Sequence, residues 1–284
     1  LCSEITLPTG IDKDGNDRTA VCCLSSLNLE TYDEWKDEPG FIEDVMRFLD
    51  NVLTDFITRA PESFKDAKYA AMRERSVGLG VMGLHSFLQK KSIPLESVMS
   101  KSWNNKIFKH IQIEVDQASK KLSEERGACP DAEEYGFKER FSNKTAIAPT
   151  ASISIICGGA SPGVEPVAAN SYTHKTLSGS YNVRNKYLKE VLEKYGKNDE
   201  ETWSSITTNQ GSVSHLNFLT KNEKDVFKTA FELDQRWIIE LGADRTTCIS
   251  QAQSINIFLP ADVHKKDLHQ IHFQAWKKGL KSLY

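Results

Sequence analysis

Two residues of this chain, Cys2 and Glu4, set a thiol and a carboxylate two positions apart in Leu1-Cys2-Ser3-Glu4, which runs into the apolar stretch Ile5-Thr6-Leu7-Pro8. On an extended segment, positions i and i+2 face the same side, so a nucleophilic sulfur and a general base could meet one substrate. The same pair also reads as a small packed thiol beside a surface carboxylate. A second cysteine position follows at Cys22-Cys23. Adjacent strand residues face opposite ways, so at most one of them can share an interior with Cys2, and periodicity leaves open which.

Further along, Pro149-Thr150-Ala151-Ser152 places two hydroxyls and several backbone N–H groups just after a strand-like stretch at 145–148. Such a turn can cradle an anion without any lysine, and it equally suits ordinary capping and turn chemistry. Cys129, Cys157 and Cys248 have no neighbouring base and read as structural. Tyr284 reads as a strand aromatic.

These groups need elements to hold them. The run Ala20-Val21-Cys22-Cys23-Leu24-Ser25-Ser26-Leu27 suggests a strand buried on both faces. Helical spacing of Ile42, Val45, Met46, Leu49, Val52, Leu53 and Phe56 predicts an amphipathic helix over 41–57. The glycines of Val77-Gly78-Leu79-Gly80-Val81 suit a strand approached closely by other backbone. A long helix is expected over 104–126, stopped by Gly127. A helix over 224–241 stopped by Gly242, a strand over 253–259, a helix over 261–278 and a closing strand over 279–284 complete the pattern. Strands alternating with helices indicate an α/β architecture, and no linker or repeat marks a domain boundary within 1–284.

Composition narrows the classes of function. Hydrophobic residues make up 39% and charged residues 26%, an ordinary globular balance. A formal charge of -3 supplies no basic field for nucleic acid or a membrane surface. No apolar run approaches the roughly 18 residues that span a bilayer. Six cysteines without a C-x-x-C pair argue against both a disulfide scaffold and a zinc site, and favour a cytoplasmic protein.

Several motifs taken together resemble a known family. Leu1-Cys2-Ser3-Glu4-Ile5 resembles the active-site finger of the class I ribonucleotide reductase large (catalytic) subunit. Ala20-Val21-Cys22-Cys23-Leu24-Ser25 is similar to the following cysteine strand, residues 75–83 to a glycine-rich strand, and Ala148-Pro149-Thr150-Ala151-Ser152 to a phosphate-binding turn. Gly163-Val164-Glu165-Pro166, Lys175-Thr176-Leu177-Ser178-Gly179, Gln251-Ala252-Gln253-Ser254-Ile255-Asn256 and Gly279-Leu280-Lys281-Ser282-Leu283-Tyr284 continue the likeness in the family's order.

The resemblance implies the C-terminal part of a ten-stranded α/β barrel, made of two five-stranded half-barrels, with Cys2 on a finger loop. It also implies radical reduction of ribonucleoside diphosphates to deoxyribonucleotides for DNA synthesis. On the matching positions, Cys2 is the thiyl residue, Glu4 the base for the 3′-hydroxyl, and Cys22 one half of the reducing dithiol, which leaves Cys23 as its neighbour. Tyr284 matches the first of two relay tyrosines. Leu1, Ser3, Pro149, Thr150, Ala151, Ser152 and Ile153 match substrate contacts, the last five around the diphosphate.

The implied partners are an N-terminal portion of the large subunit, a metal-containing small subunit that supplies the radical, the nucleotide, and thioredoxin or glutaredoxin. No metal or cofactor is expected on this chain. The family's asparagine before Leu1, its N-terminal half, the second tyrosine and the tail cysteines fall outside these 284 residues. The expectation is therefore a fragment, a split or phage-like subunit, or part of a longer protein, inactive in isolation. An alternative is a phosphate-binding or assembly module that keeps the shape without the reaction.

Overall fold

The computed structural model describes residues 2–176 and 179–284. The Cys2 to Leu7 segment is irregular and leads to a small antiparallel ribbon, β1 (Gly10–Ile11) with β2 (Asp17–Arg18). Asp12 closes the turn between them, its carboxylate accepting from the Asp14 and Asn16 amides at 2.9 and 3.0 Å, the local side-chain bonding that makes aspartate a turn residue. Strand β3 (Cys23–Asn28) follows. It starts later than the sequence run suggests, so that Cys22 sits just before it.

Past a short turn of helix, α1 (Tyr32–Trp35), comes α2 (Phe41–Arg59), whose buried Ile42, Met46, Leu49 and Leu53 form the expected apolar stripe. Next are α3 (Lys65–Glu74) and β4 (Val77–Met82), and β3 and β4 pair in parallel from Cys23 against Val77 to Asn28 against Met82. Every residue of β4 is buried, the signature of a parallel strand covered on both faces.

Its glycines have a steric cause. A Cβ on Gly80 would lie 2.3 Å from the Ala146 carbonyl oxygen, and one on Gly78 2.4 Å from Leu24 Cδ2. Gly80→Ala should therefore destabilise the fold by about 1–3 kcal/mol, as overpacking does, read as a lower urea midpoint at unchanged m-value. An unchanged midpoint would refute the close approach.

Helix α4 (Leu84–Lys90) leads to α5 (Val98–Arg126), six residues longer at its start than its apolar spacing suggests because Ser97 caps it by accepting from the Ser100 amide at 3.1 Å. After α6 (Pro130–Glu134), residues 144–147 lie alongside β4. Leu79 N–H donates to the Lys144 carbonyl at 2.9 Å and Ala146 N–H to the Leu79 carbonyl at 3.2 Å. The short α7 (Ile153–Ile156) follows the hydroxyl turn.

Strands β5 (Ser171–Thr176) and β6 (Gly179–Arg184) form an antiparallel hairpin, and Leu177-Ser178 of one family-like motif lie outside the described residues. The hairpin precedes α8 (Lys186–Lys194), α9 (Glu200–Thr208) and α10 (Lys221–Val226). These helices share a separate apolar cluster around Leu188, Leu192, Trp203, Ile206 and Phe227.

The single helix expected over 224–241 is two helices, α10 and α11 (Gln235–Thr246). Asp234 caps the second by accepting from the Arg236 amide, and the Gln235 side chain satisfies the carbonyls of Ala230 and Leu233. Gly242 is not a stop but an interior position, where a Cβ would meet Ile255 Cδ1 at 2.8 Å. The last helix is α12 (Lys265–Lys277).

Residues 251–257 lie beside 145–147, with Gln251 N–H on the Thr145 carbonyl and Ile147 N–H on the Ala252 carbonyl at 3.0 and 3.1 Å. Tyr284 closes the row, its N–H on the Ile255 carbonyl and its carbonyl on the Ile257 N–H at 2.8 and 2.9 Å, the staggered pattern of a parallel pair. The sheet thus runs in chain order from β3 through β4, 145–147 and 251–257 to Tyr284, all in parallel. The expected α/β class holds. Among the described residues the row stays open and does not close into a barrel.

Behind the sheet α2, α5 and α11 bury Met46, Leu53, Ile107, Val115, Leu122 and Ile238. At their edge Asp50, fully buried, is held by three arginines. Arg75 Nη2 reaches it at 2.7 Å, Arg126 Nη1 at 2.7 Å and Arg140 Nε at 2.9 Å. Burial opposes its charge, and the three guanidiniums more than offset that, holding its carboxyl below the usual carboxylate range.

Candidate functional site

The edge where the segment around Glu4 meets the 251–257 strand collects most of the chemistry-bearing residues. Ala252 N–H donates to the Glu4 carbonyl at 2.9 Å and Ser3 N–H to Ser254 Oγ at 3.0 Å, so the segment is tied to the sheet by its backbone. Ser254 in turn donates its hydroxyl to Glu4 Oε2 at 2.5 Å. The Glu4 carboxylate is 2% exposed, whereas Cys2 is exposed. Ser282 Oγ donates to the carbonyls of Ser3 and Gln253, both at 3.0 Å, which ties the end of the row to the same segment.

Cys22 lies close by. Its sulfur receives a hydrogen bond from Gln251 Nε2 at 3.2 Å. Burial pushes the thiol up to about 11; the Gln251 bond opposes that shift, and the charges of Cys23, Glu4 and Glu74 add to it. Cys23 is also pushed up by burial, with Arg75 opposing. Every described cysteine is a free thiol.

The hydroxyl turn uses one of its two hydroxyls in the turn chemistry that its sequence allows. Thr150 adopts a left-handed backbone (φ 55°), is buried, and accepts the Gly163 N–H on its hydroxyl at 2.7 Å. That oxygen holds the loop in place. Ser152 stays exposed, its side chain capping nothing, and Ala151 is exposed as well. The first amides of a helical turn have no partner within the helix, and here these include the backbone N–H groups at the start of α7, beside the exposed Ser152 hydroxyl. Tyr284 has its backbone fixed in the row and its ring 59% exposed. Leu1 lies outside the described residues.

Several residues here carry no role in the sequence reading. Gln251, Ser254 and Ser282 bind the Glu4 segment or Cys22 directly. Glu165, whose acidity burial weakens despite a hydrogen bond from Asn256 Nδ2 at 2.5 Å, faces the same strand. Polar residues inside an otherwise buried strand were the available signal, since each requires a partner. Among the described residues no cluster of histidine, cysteine and carboxylate could hold a metal, and no helix is long and apolar enough to cross a membrane.

An open parallel α/β sheet thus brings a buried carboxylate and a hydrogen-bonded thiol to one of its strands. The sequence matches the family "Ribonucleotide reductase, barrel domain" over residues 1–139 and 131–284. It is 51% identical to the ribonucleoside-diphosphate reductase large subunit of Invertebrate iridescent virus 6, across 100% of this chain and 29% of that protein. It is 29% identical to large chain 2 of Saccharomyces cerevisiae, across 99% of this chain and 36% of the yeast protein. The structure of the Actinobacillus ureae class Id ribonucleotide reductase alpha subunit superposes with a TM-score of 0.91 at 40% identity, covering 100% of this chain and 52% of that one. The chain belongs to the ribonucleotide reductase large-subunit family, in its barrel domain, and spans about half or less of the length of these relatives.

Proposed function

We propose that residues 1–284 form the C-terminal catalytic portion of a class I ribonucleoside-diphosphate reductase large subunit, acting in the cytoplasm. The observation that carries this is the convergence of the Glu4 carboxylate and the Cys22 thiol on one strand, 251–257, which holds the first through Ser254 and the second through Gln251. A metal-containing small subunit supplies the radical, relayed through Tyr284. Cys2 then removes the 3′-hydrogen of the ribose while Glu4 takes the 3′-hydroxyl proton. The 2′-hydroxyl leaves as water. Two electrons and two protons come from Cys22 and a second cysteine of the N-terminal portion, which join as a disulfide that thioredoxin or glutaredoxin reduces. Cys2 then returns that hydrogen to C3′ and becomes the thiyl radical again, and its thiol is restored when the radical passes back through Tyr284 to the small subunit.

Ser254 suits this assignment because its hydroxyl fixes the direction of the Glu4 carboxylate, as a base requires. Leu1, Ser3, Pro149, Thr150, Ala151, Ser152 and Ile153 line the nucleotide, with Thr150 shaping the turn and Ser152 and the free amides meeting the diphosphate. Ile156, 82% exposed beside that turn, is an apolar surface for the complementary portion to cover, which would also complete the barrel.

The test is reconstitution with a complementary N-terminal portion, small subunit, dithiol reductant and a nucleoside diphosphate, reading deoxynucleotide. Glu4→Gln should lower the rate by about 10²–10⁴-fold, the span of a general base, with little change in nucleotide affinity. A rate within a few-fold of the unaltered chain would remove Glu4 from the mechanism. Nucleotide binding without any turnover of the unaltered chain would favour the assembly-module reading.

A further inference from the structure

The Gln251 side chain is 1% exposed and touches three separate parts of the chain. Its Oε1 accepts from the Thr6 backbone N–H at 3.2 Å. Its Nε2 donates to the Val77 carbonyl at 3.2 Å and to Cys22 Sγ at 3.2 Å. The orientation of the amide is not a free choice. Thr6 N–H can only donate and the Val77 carbonyl can only accept, so the oxygen must face Thr6 and the NH2 must face Val77. The remaining hydrogen of that NH2 then points at the sulfur.

The amide is itself held from behind. Its own backbone N–H is on the Thr145 carbonyl at 3.0 Å, and Lys281 Nζ binds its carbonyl oxygen. The Cys22 sulfur lies 3.9 Å from the Cys23 carbonyl, an acceptor for the thiol hydrogen. A Cβ on Gly78 would come within 3.2 Å of the same sulfur, so β4 leaves it little room to move.

From this geometry we propose that Gln251 is a positioning residue for Cys22, supplying the hydrogen bond that supports its thiolate and tying that sulfur through one amide to the segment that carries Cys2 and Glu4. The inference deepens the reductase reading and takes from it only the role of Cys22. Thiolate formation is the step that exchange with a second cysteine or an external dithiol requires. The groups facing the sulfur otherwise oppose it, because Cys23, Glu4 and Glu74 carry no positive charge and Gln251 contributes the one hydrogen bond that favours the charged form. The same amide holds the Thr6 N–H, so a change of sulfur position would be felt two residues from Glu4.

The experiment uses the 284-residue chain and needs no turnover. Iodoacetamide alkylation of Cys22 is followed from pH 7 to 10 by mass spectrometry, with fragmentation separating Cys22 from Cys23 and exposed Cys157 as internal reference. Gln251→Met keeps the length and removes both polar ends. Gln251→Glu keeps an acceptor for Thr6 and removes the donor. Cys22 alkylation should slow about tenfold in Gln251→Met across this range and further in Gln251→Glu, with Cys157 unchanged. Hydrogen exchange at the Thr6 amide should speed up in Gln251→Met and stay protected in Gln251→Glu.

Unchanged or faster Cys22 alkylation in folded Gln251→Glu would overturn the assignment. So would a Thr6 amide that exchanges alike in both variants. Slower alkylation alongside a reconstituted enzyme that makes no deoxynucleotide would retire the reductase reading and leave the role of Gln251 standing.

Discussion

Cys2→Ser should reduce deoxynucleotide formation by the reconstituted enzyme to background while leaving nucleotide binding and assembly with the other portions intact. A serine hydroxyl is nearly isosteric with the thiol, but its O–H bond is too strong for the oxygen radical to form under the same driving force. The exposure of Cys2 beside a buried Glu4 makes the variant interpretable. Truncating an exposed sulfur opens no cavity, so any loss is chemical rather than structural. The measurement is product per enzyme with saturating small subunit, paired with a nucleotide-binding titration. Activity retained in Cys2→Ser would end the thiyl assignment. Loss of binding together with activity would make Cys2 a structural residue of the segment.

The largest stability effect is expected at Asp50→Ala. Removing the carboxylate leaves Arg75 and Arg140 buried with no counter-charge and also ends the bond to Arg126 Nη1. Breaking a buried ion cluster by deleting one partner costs about 3–5 kcal/mol. For a chain of this size that is roughly a 10 °C fall in Tm. The pH dependence has a definite sign. The folded-state acidity of Asp50 is strengthened, so its contribution is fully present above the ordinary carboxylate value near 3.9 and is lost as pH falls through the lower folded value. The Tm difference between the unaltered chain and Asp50→Ala should therefore be flat from about pH 5 to 8 and shrink only in stronger acid. A difference that already disappears at pH 5 would mean the arginines do not hold the charge.

Much of the α/β order could be read from periodicity. The apolar stripe of α2 and the glycines of β4 each carry a local steric or hydrophobic pattern and appear where that pattern lies, whereas the run at 20–27 forms a strand that is not buried on both faces, with Leu24 exposed and only Leu27 buried. Reading failed where two local signals competed. Residues 224–241 have helical spacing throughout, yet Asp234 is a better N-cap than an interior residue, and it splits the stretch in two. Gly242 looked like a stop, but glycine also serves close packing, and only the neighbouring Ile255 decides between the two uses. The β5–β6 hairpin is mostly exposed and so offers no buried alternation to read, while α8 does carry helical apolar spacing at Tyr187, Leu188, Val191 and Leu192 that the reading passed over.

The site divides in the same way. Residue types and motif order alone determined the family, the α/β class and the choice of Cys2, Glu4, Cys22 and the 149–153 turn as the groups to watch. Tertiary structure decided what those groups can do. Thr150, one of the two hydroxyls of the turn, accepts the Gly163 amide from across the loop. Gln251, 229 residues from Cys22 in sequence, is its hydrogen-bond donor, and Ser254, 250 residues from Glu4, is the hydroxyl on its carboxylate. Local sequence encodes the spacing of a helix or a strand because neighbouring residues impose it. Pairings across more than two hundred residues exist only once the parallel strands are laid side by side, so the partners that tune an acid and a thiol had to be found in the fold.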